Sequence, residues 1–324
     1  MAIHAVGLDL PAALSVRDLA AAAGGDVTTY TGWPQVRVGG EEDHPATLAS
    51  RALEVALRDA GIPASELKIV VSTGMSREYL GSWSLSTEVM RQHGAPSTCM
   101  PLDINCGCLA TLWSLSLMQG WLAASGGGYA AIVSGERLSD TVDRSDNSAQ
   151  NLWGYGDGGS AIIVGVGTGS PALWNLASTG FSSHAEFAGI LRVEYGGTRN
   201  PVLPAGATNY RRFAPIPLSE VRAVYVNGYQ DAFTTAQKST TTVAERLVCN
   251  QVSPNFTPVI AEAAGIPMEH VIVTGEDAGH VGSADIGIGL RKLLDTEGAT
   301  VPLALGASTP FAFGAAILEP AGTK

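Results

Sequence analysis

The chain has 324 residues, of which 45% are hydrophobic and 15% are charged, and its formal net charge at pH 7 is −11. This apolar composition is typical of a globular protein with a sizeable core and excludes a disordered chain. The acidic balance and the shortness of basic clusters such as Arg211-Arg212 argue against binding of nucleic acid.

The sequence shows no clear targeting signal and no cysteine pattern typical of disulfides or of a metal site. No apolar run approaches the roughly 20 residues of a membrane-spanning helix, and the segment 1–14 lacks the basic start of an export signal. Four cysteines in a chain of this length predict neither a disulfide scaffold nor a metal site. We therefore expect a cytoplasmic protein with reduced thiols, no metal and no membrane partner. Cys99 and Cys249 are expected in the core, and Cys106 is expected to pack.

Helices and strands alternate along the chain. Helical apolar patterns cover the segments 46–60, 84–93 and 109–124. Short apolar runs typical of buried strands cover 67–72, 129–134 and 160–166. This alternation predicts an α/β fold. A segment rich in Gly, Pro and Asn, 196–217, is expected to form a long ordered loop over a functional site.

The second half of the sequence repeats the first. Residues 59–63, Asp-Ala-Gly-Ile-Pro, return at 263–267 as Ala-Ala-Gly-Ile-Pro, and an apolar strand follows each copy. Gly107-Cys108 likewise has a counterpart in Gly279-His280, each before an apolar helix. We therefore predict two related halves, 1–167 and 168–324, whose pseudo-two-fold axis brings Cys108 and His280 together.

The strongest candidate for a reactive residue is Cys108. A short apolar strand runs into a tight turn at 105–107, and a helix is predicted to begin at Cys108. The partial positive charge and free N–H groups of a helix N-terminus favour thiolate over thiol, which makes the cysteine a better nucleophile. The alternative for Cys108 is a buried structural thiol.

His280 is the histidine that a helix start places opposite this cysteine, and it is a candidate catalytic residue. Three carboxylates flank it and could orient its imidazole, namely Glu276, Asp277 and Asp285. Asp285 lies five residues further on, within the predicted helix, and is expected to point elsewhere. Asn250 is a further candidate, although a helix cap is a common alternative for asparagine.

These motifs, in this order, resemble the thiolase superfamily and, within it, the ketoacyl-acyl-carrier-protein synthase III branch. The resemblance spans about residues 36–318 and rests on the segments 103–108, 155–161, 248–256, 279–284 and 306–316. It implies a thiolase-like fold, which is a duplicated five-layer αβαβα sandwich, and a homodimer. It also implies Cys108 as the nucleophile, an acyl thioester of coenzyme A or acyl-carrier protein as substrate, and no tightly bound cofactor.

The chain departs from the family at the residues that accompany the cysteine. Asn250 stands where the family has its catalytic histidine, and His280 stands where it has asparagine. The exchanged pair could still direct two donors at a thioester carbonyl, or His280 could act as a general base. The resemblance further assigns the oxyanion hole to the amides of Cys108 and Thr309. It assigns to Trp83 a role in capping the acyl pocket of a partner subunit.

The positions that contact the donor are altered too. Tyr30 and Asp26 stand where the family binds the nucleotide of coenzyme A, and Asn255 stands where it has an arginine for carrier docking. A replacement basic patch could come from four arginines, Arg211, Arg212, Arg222 and Arg246.

The sequence thus predicts an acyltransferase that forms an acyl-Cys108 thioester. Condensation with a malonyl-type thioester, in polyketide or fatty-acid-like biosynthesis, is the first hypothesis for the second step. Direct transfer of the acyl group to an oxygen, nitrogen or carbon nucleophile of a small acceptor is the alternative. A non-catalytic partner subunit of a multi-enzyme complex is a third hypothesis, which the missing family histidine motivates and the cysteine opposes.

Overall fold

The computed structural model describes residues 1–80, 82–214 and 216–322, with the side chain of Leu218 left undescribed. Its helices are α1 (Val16–Ala22), α2 (Pro45–Ala60), α3 (Leu85–His93), α4 (Ala110–Ala124), α5 (Leu218–Lys238), α6 (Thr257–Ala264), α7 (Gly275–Ala278) and α8 (Asp285–Thr296). The first seven strands are β1 (Ala2–Asp9), β2 (Ala13–Ser15), β3 (Gln35–Arg37), β4 (Leu67–Thr73), β5 (Met100–Ile104), β6 (Gly128–Arg137) and β7 (Asp157–Val166). The others are β8 (Trp174–Ser183), β9 (Leu191–Val193), β10 (Arg211–Phe213), β11 (Arg246–Cys249), β12 (Val271–Ile272), β13 (Leu303–Thr309) and β14 (Ala312–Pro320).

The main sheet has the strand order β12-β11-β13-β14-β8-β1-β7-β6-β4-β5. Its two five-stranded halves have the same topology. In the first, β4 lies parallel between β5 and β6, and antiparallel β7 and β1 follow. In the second, β11 lies parallel between β12 and β13, and antiparallel β14 and β8 follow. The halves meet where β1 pairs with β8, so the sequence repeat corresponds to a repeat in the fold.

The molecule has five layers, in the order helices, half-sheet, helices, half-sheet, helices, and three apolar clusters hold them together. Leu53 and Ala56 of α2 pack with Val89 of α3 on one outer face of the first half-sheet. Leu112 of α4 and Leu290 of α8 belong to the central cluster between the half-sheets. The third cluster joins α5 and α6 to the outer face of the second half-sheet, through residues such as Tyr229, Phe233 and Ile260. This arrangement is the predicted αβαβα sandwich.

The local predictions fit the observed elements. Pro45 occupies the first turn of α2 and Gly61 ends it in the left-handed conformation that glycine adopts readily. Ser84 does not lie inside α3 but caps it, because its hydroxyl accepts a hydrogen bond from the N–H of Thr87. The helix predicted to begin at Cys108 begins at Ala110, after a 3-10 turn over Gly107–Leu109. Cys99 and Cys249 are buried, as expected.

The segment 196–217 differs from the predicted loop, and its residue Pro215 lies outside the described residues. The strand β10 forms within it and pairs antiparallel with β9 to make a small two-stranded sheet. Part of the segment is therefore a paired strand and not a loop.

Candidate active site

The thiol of Cys108 lies at the base of a cavity at the ends of β5, β11 and β13. The cavity has a volume of about 930 Å³, and both Cys108 and His280 line it. Cys108 follows β5 in the 3-10 turn that leads into α4, and 8% of the residue is exposed. Cys106, which was expected to pack, lies half-buried against the core and also lines the cavity.

His280 faces this thiol from the second half of the chain. Its Nε2 lies 3.3 Å from the Sγ of Cys108, and 1% of the residue is exposed. Its backbone is held by the first half, because its N–H donates to the carbonyl of Gly154 at 2.8 Å and its carbonyl accepts from the N–H of Gly156 at 2.9 Å. The Tyr155 ring packs against the imidazole at an interplanar angle of 78°, with centroids 4.6 Å apart. The structure therefore brings together the two residues that the sequence repeat placed opposite each other.

Asp285 completes a Cys-His-Asp arrangement, and the expectation that it points elsewhere was wrong. Its Oδ2 lies 2.5 Å from the Nδ1 of His280 and also accepts the N–H of Gln251 at 2.6 Å. Its Oδ1 accepts the N–H of Val281 at 2.7 Å. Three donors thus fix the carboxylate in place, and the carboxylate fixes the ring of His280 with Nε2 towards the sulfur.

The buried charges bias this arrangement towards a protonated imidazole. Burial by itself opposes protonation of His280, but the Asp285 carboxylate and the facing Cys108 sulfur outweigh it and raise the pKa of His280 to about 10. An imidazolium beside a cysteine sulfur favours the thiolate form of that sulfur. The site is therefore suited to nucleophilic attack at neutral pH.

Asn250 is not brought together with Cys108 and His280 in the cavity. It is fully buried just beyond β11, where its Oδ1 accepts the hydroxyl of Tyr229 at 2.9 Å. Its Nδ2 donates to the carbonyl of Ser308 at 3.4 Å. Asn250 is absent from the described lining of the cavity. Its two hydrogen bonds brace α5 and β13 against β11. A paired donor role for Asn250 would require its side chain to leave these two partners.

Gln251, which the sequence did not single out, holds Asp285 in position through hydrogen bonds. Its N–H is one of the donors to Asp285. Its side chain donates to the carbonyl of Cys249 at 2.8 Å and accepts the N–H groups of Thr274 and Gly275 at 3.2 and 3.1 Å. The segment after β11 therefore positions the carboxylate of the triad.

Thr309 lies beside the cysteine turn, where the predicted oxyanion hole would be. It ends β13, lines the cavity, and accepts the N–H of Ala312 on its Oγ1 at 3.0 Å. Its Cγ2 approaches the turn so closely that a Cβ on Gly107 would lie 3.0 Å away. The two residues of the predicted oxyanion hole, Cys108 and Thr309, are thus neighbours in the cavity wall.

The substitution Gly107→Ala would test the importance of this turn. The φ of Gly107, +51°, lies in the left-handed region, where a side chain is strained. We expect Gly107→Ala to lower the free energy of unfolding by about 1–2 kcal/mol and to slow acylation, because both the backbone strain and the contact with Thr309 displace the thiol. Urea unfolding and acylation rates measure the two effects.

Gly120→Ala is the matched control, because Gly120 lies inside α4 and a Cβ there meets nothing within 4 Å. It should stabilise the protein by about 0.5–1 kcal/mol. A Gly107→Ala variant as stable and as active as the parent would contradict the role given to the turn.

The remaining predicted positions are distributed around the site. Trp83 packs its ring edge against Tyr79, with centroids 5.7 Å apart, and does not line the described cavity of its own chain. Its capping role in a partner subunit therefore stays a prediction. Tyr30 is buried and lines a neighbouring cavity of about 120 Å³, whereas Asp26 is on the surface and bonds Thr28.

The four arginines do not form one patch. Arg246 begins β11 and bonds Glu297 at 3.0 Å, and Arg212 bonds Asp146 at 2.6 Å. Arg211 and Arg222 line the large cavity.

Asp157, beside the site, is buried and accepts the N–H groups of Gly39 and Ser139, so it fixes the turn there.

In residues 1–80, 82–214 and 216–322, no helix is long and apolar enough to cross a bilayer. Within the same ranges, no group of three His, Cys, Asp or Glu side chains is placed to hold a metal ion.

Known proteins resemble this chain in sequence. Residues 102–180 match the family model of 3-oxoacyl-[acyl-carrier-protein] synthase III. The chain is 25% identical over 312 residues to β-ketoacyl-[acyl-carrier-protein] synthase III of Oleidesulfovibrio alaskensis, with 90% of this chain and 89% of the relative covered. It is also 25% identical over 306 residues to the Streptomyces lividans enzyme of that name, with 91% and 86% covered.

Solved structures resemble it in fold. The 3-oxoacyl-[acyl-carrier-protein] synthase III of Aquifex aeolicus superposes with a TM-score of 0.83 at 20% identity, over 98% of this chain and 99% of that one. A variant of OleA from Xanthomonas campestris superposes with a TM-score of 0.80 at 18% identity, over 98% and 96%. The chain therefore has the thiolase fold and resembles in sequence the proteins named β-ketoacyl-[acyl-carrier-protein] synthase III.

Proposed function

We propose that this protein is an acyltransferase of the ketoacyl synthase III kind, which carries its acyl group on Cys108. The observation that carries the proposal is the contact of 3.3 Å between the Cys108 sulfur and an imidazole that Asp285 holds from behind. A nucleophile, a base and a residue that orients the base are the parts that covalent acyl transfer requires. The donor would be an acyl thioester of coenzyme A or of an acyl-carrier protein, and the working form a homodimer.

The first half-reaction follows from this geometry. The Cys108 thiolate, whose proton is on His280, attacks the thioester carbonyl and forms a C–S bond. The amides of Cys108 and Thr309 are proposed to stabilise the oxyanion. The C–S bond to the donor then breaks, and the departing donor thiolate takes the proton from His280. The products are acyl-Cys108 and the free donor thiol.

For the second half-reaction, the sequence relatives favour condensation with a malonyl-type thioester. The C–C bond to the malonyl carboxylate breaks and releases CO₂, and the resulting enolate carbon attacks acyl-Cys108. His280, which gave its proton to the departing donor, takes a proton from solvent and then donates a hydrogen bond from Nε2 to the enolate oxygen. The Cys108 thiolate leaves, and a β-ketoacyl thioester forms.

A second candidate is direct transfer to a small nucleophile, and a specific observation favours it. Asn250, the other expected donor, is bound to Tyr229 and Ser308 instead of facing the cavity. His280 with Asp285 can instead take the proton of an acceptor O–H or N–H while that atom attacks acyl-Cys108. The Cys108 thiolate leaves, and the acyl group reaches the acceptor without loss of CO₂. The buried triad opposes the third hypothesis, a non-catalytic subunit.

The experiment separates the two second steps. The protein is loaded from an acyl thioester, freed of donor, and mixed with a malonyl thioester or with a panel of small alcohols and amines. Condensation predicts CO₂ release equal to the β-ketoacyl product formed. Ester or amide product without CO₂ would replace condensation by direct transfer, and an enzyme that never loads would overturn both.

A further inference from the structure

A buried cation in the cavity wall has no partner of opposite charge among the residues that the structure describes. Arg211 is only 8% exposed, and its Nη1 is buried without a hydrogen-bond partner among the described residues. Its one described side-chain contact is with the ring of Tyr155, which its Cζ approaches at 5.9 Å from the centroid. Burial of an unpaired guanidinium costs free energy, so such a residue is expected to have a ligand.

The neighbouring arginines show that this arrangement is particular to Arg211. Arg212, the next residue of β10, points to the other side of the strand and bonds Asp146 at 2.6 Å. Of the other arginines that line the cavity, Arg192 bonds Glu194 at 2.9 Å and Arg222 is exposed to solvent. Arg211 is therefore the cavity arginine that is both enclosed and, among the described residues, without an acidic partner.

Tyr155 relates this cation to the reacting groups. The same ring that contacts Arg211 packs nearly perpendicular to the imidazole of His280, whose Nε2 faces the Cys108 sulfur. The Tyr155 ring alone thus separates the guanidinium from the catalytic pair of Cys108 and His280. A negative group bound there would belong to the part of the substrate close to the thioester carbonyl.

We propose that Arg211 binds a carboxylate of the substrate, so that the enzyme selects a short acyl thioester bearing a free carboxylate. The planar guanidinium and a carboxylate can form two parallel hydrogen bonds, which are strong when water is excluded. The proposal rests on acyl transfer at Cys108, and it adds the residue that recognises a carboxylate on the substrate. The carboxylate could belong to the acyl group that loads Cys108 or to a malonyl-type second substrate.

The first test measures binding without chemistry. The Cys108→Ala protein is titrated with malonyl-coenzyme A and with isovaleryl-coenzyme A, whose acyl group has the same number of heavy atoms but no charge. We expect tighter binding of the malonyl thioester, and loss of roughly ten- to a hundredfold of that affinity on adding Arg211→Gln. Arg211→Lys should retain part of it, and Arg222→Gln, in the same cavity, should leave the ratio of the two affinities unchanged. Equal binding of both thioesters, or an equal loss for both in Arg211→Gln, would overturn the proposal.

The second test identifies the source of the carboxylate. If it belongs to the loading acyl group, Arg211→Gln slows loading of Cys108 by malonyl-coenzyme A but not by isovaleryl-coenzyme A. If it belongs to the second substrate, loading is unchanged and the KM for the malonyl thioester rises on enzyme loaded with a neutral acyl group. Failure of every thioester to load the parent enzyme would refute the proposed function, whereas the titration would still report the preference for charge.

A third measurement separates this role from a structural one. Because Arg211 is buried without an acidic partner, Arg211→Met should unfold at the same or a higher urea concentration than the parent. A loss of stability in Arg211→Met, together with unchanged malonyl selectivity in Arg211→Gln, would show that the residue supports the fold rather than the substrate.

Discussion

Replacing Cys108 with alanine should abolish acyl transfer, with a fall in turnover of at least about 10³-fold. The variant loses the sulfur that faces His280 at 3.3 Å, and among the described residues no other side chain forms a hydrogen bond with the Nε2 of His280. Steady-state turnover with acyl thioester donors measures the effect. Thermal unfolding should show a folded protein, since alanine fills the site without adding volume.

Cys106→Ala is the matched control. Its thiol also lines the cavity, two residues away, but it does not contact His280 in any described hydrogen bond. This variant should retain most of the parent turnover. Comparable losses of turnover in both variants would show that the segment tolerates no change. A loss of turnover only in Cys106→Ala would show that Cys106, and not Cys108, carries the chemistry.

Replacing Asp285 with asparagine should slow acyl transfer by about 10⁴-fold, the loss seen when the aspartate of a Ser-His-Asp triad is replaced by asparagine. The carboxylate raises the pKa of His280, so its removal lowers that pKa and makes the imidazole neutral at lower pH. The thiolate then loses its cation. The rate of Cys108 alkylation by iodoacetamide at pH 7 should therefore fall, and its pH profile should follow the lowered pKa of His280.

Asp277→Asn provides the comparison for this effect. Asp277 lies near His280 in sequence, but it is 71% exposed and pairs with Lys292 at 3.7 Å. Its removal should leave the pH profile of alkylation in place. An unchanged profile in Asp285→Asn would show that the carboxylate holds the Gln251 and Val281 amides without acting on the histidine.

Much of the fold could be predicted because its signals are local. The apolar period and the flanking Pro45 and Gly61 define α2 within a few residues. The pairing of Cys108 with His280 followed from the repeated glycine turn, since equivalent turns in a duplicated sheet lie at equivalent places. The 3.3 Å contact between the two side chains confirms that inference about their position.

Asp285 was missed because its position depends on a break in the helix. On a regular helix, residues five apart point about 140° away from each other. Here a 3-10 turn over Gly282–Ala284 precedes α8, and Gly282 has a φ of +60°. The chain therefore folds back and directs the carboxylate of Asp285 at His280. The glycine was visible in the sequence, but the turn that it permits was not.

Asn250 and Arg211 depend on contacts that are distant in sequence. Asn250 was placed in the site by its position in the family motif, yet Tyr229 of α5 occupies its amide oxygen. Arg211 was grouped with other arginines by charge alone. Only the pairing of β10 with β9 and the ring of Tyr155 distinguish it, and no local pattern encodes either contact.

The most direct test of a covalent acyl carrier at Cys108 is the intact mass of the protein after brief exposure to an acyl thioester, followed by peptide mapping. The account predicts one added acyl group per chain, located on the peptide that contains Cys108 and released by hydroxylamine. A chain that gains no mass from any thioester, or that gains it at Cys106 or elsewhere, would contradict it.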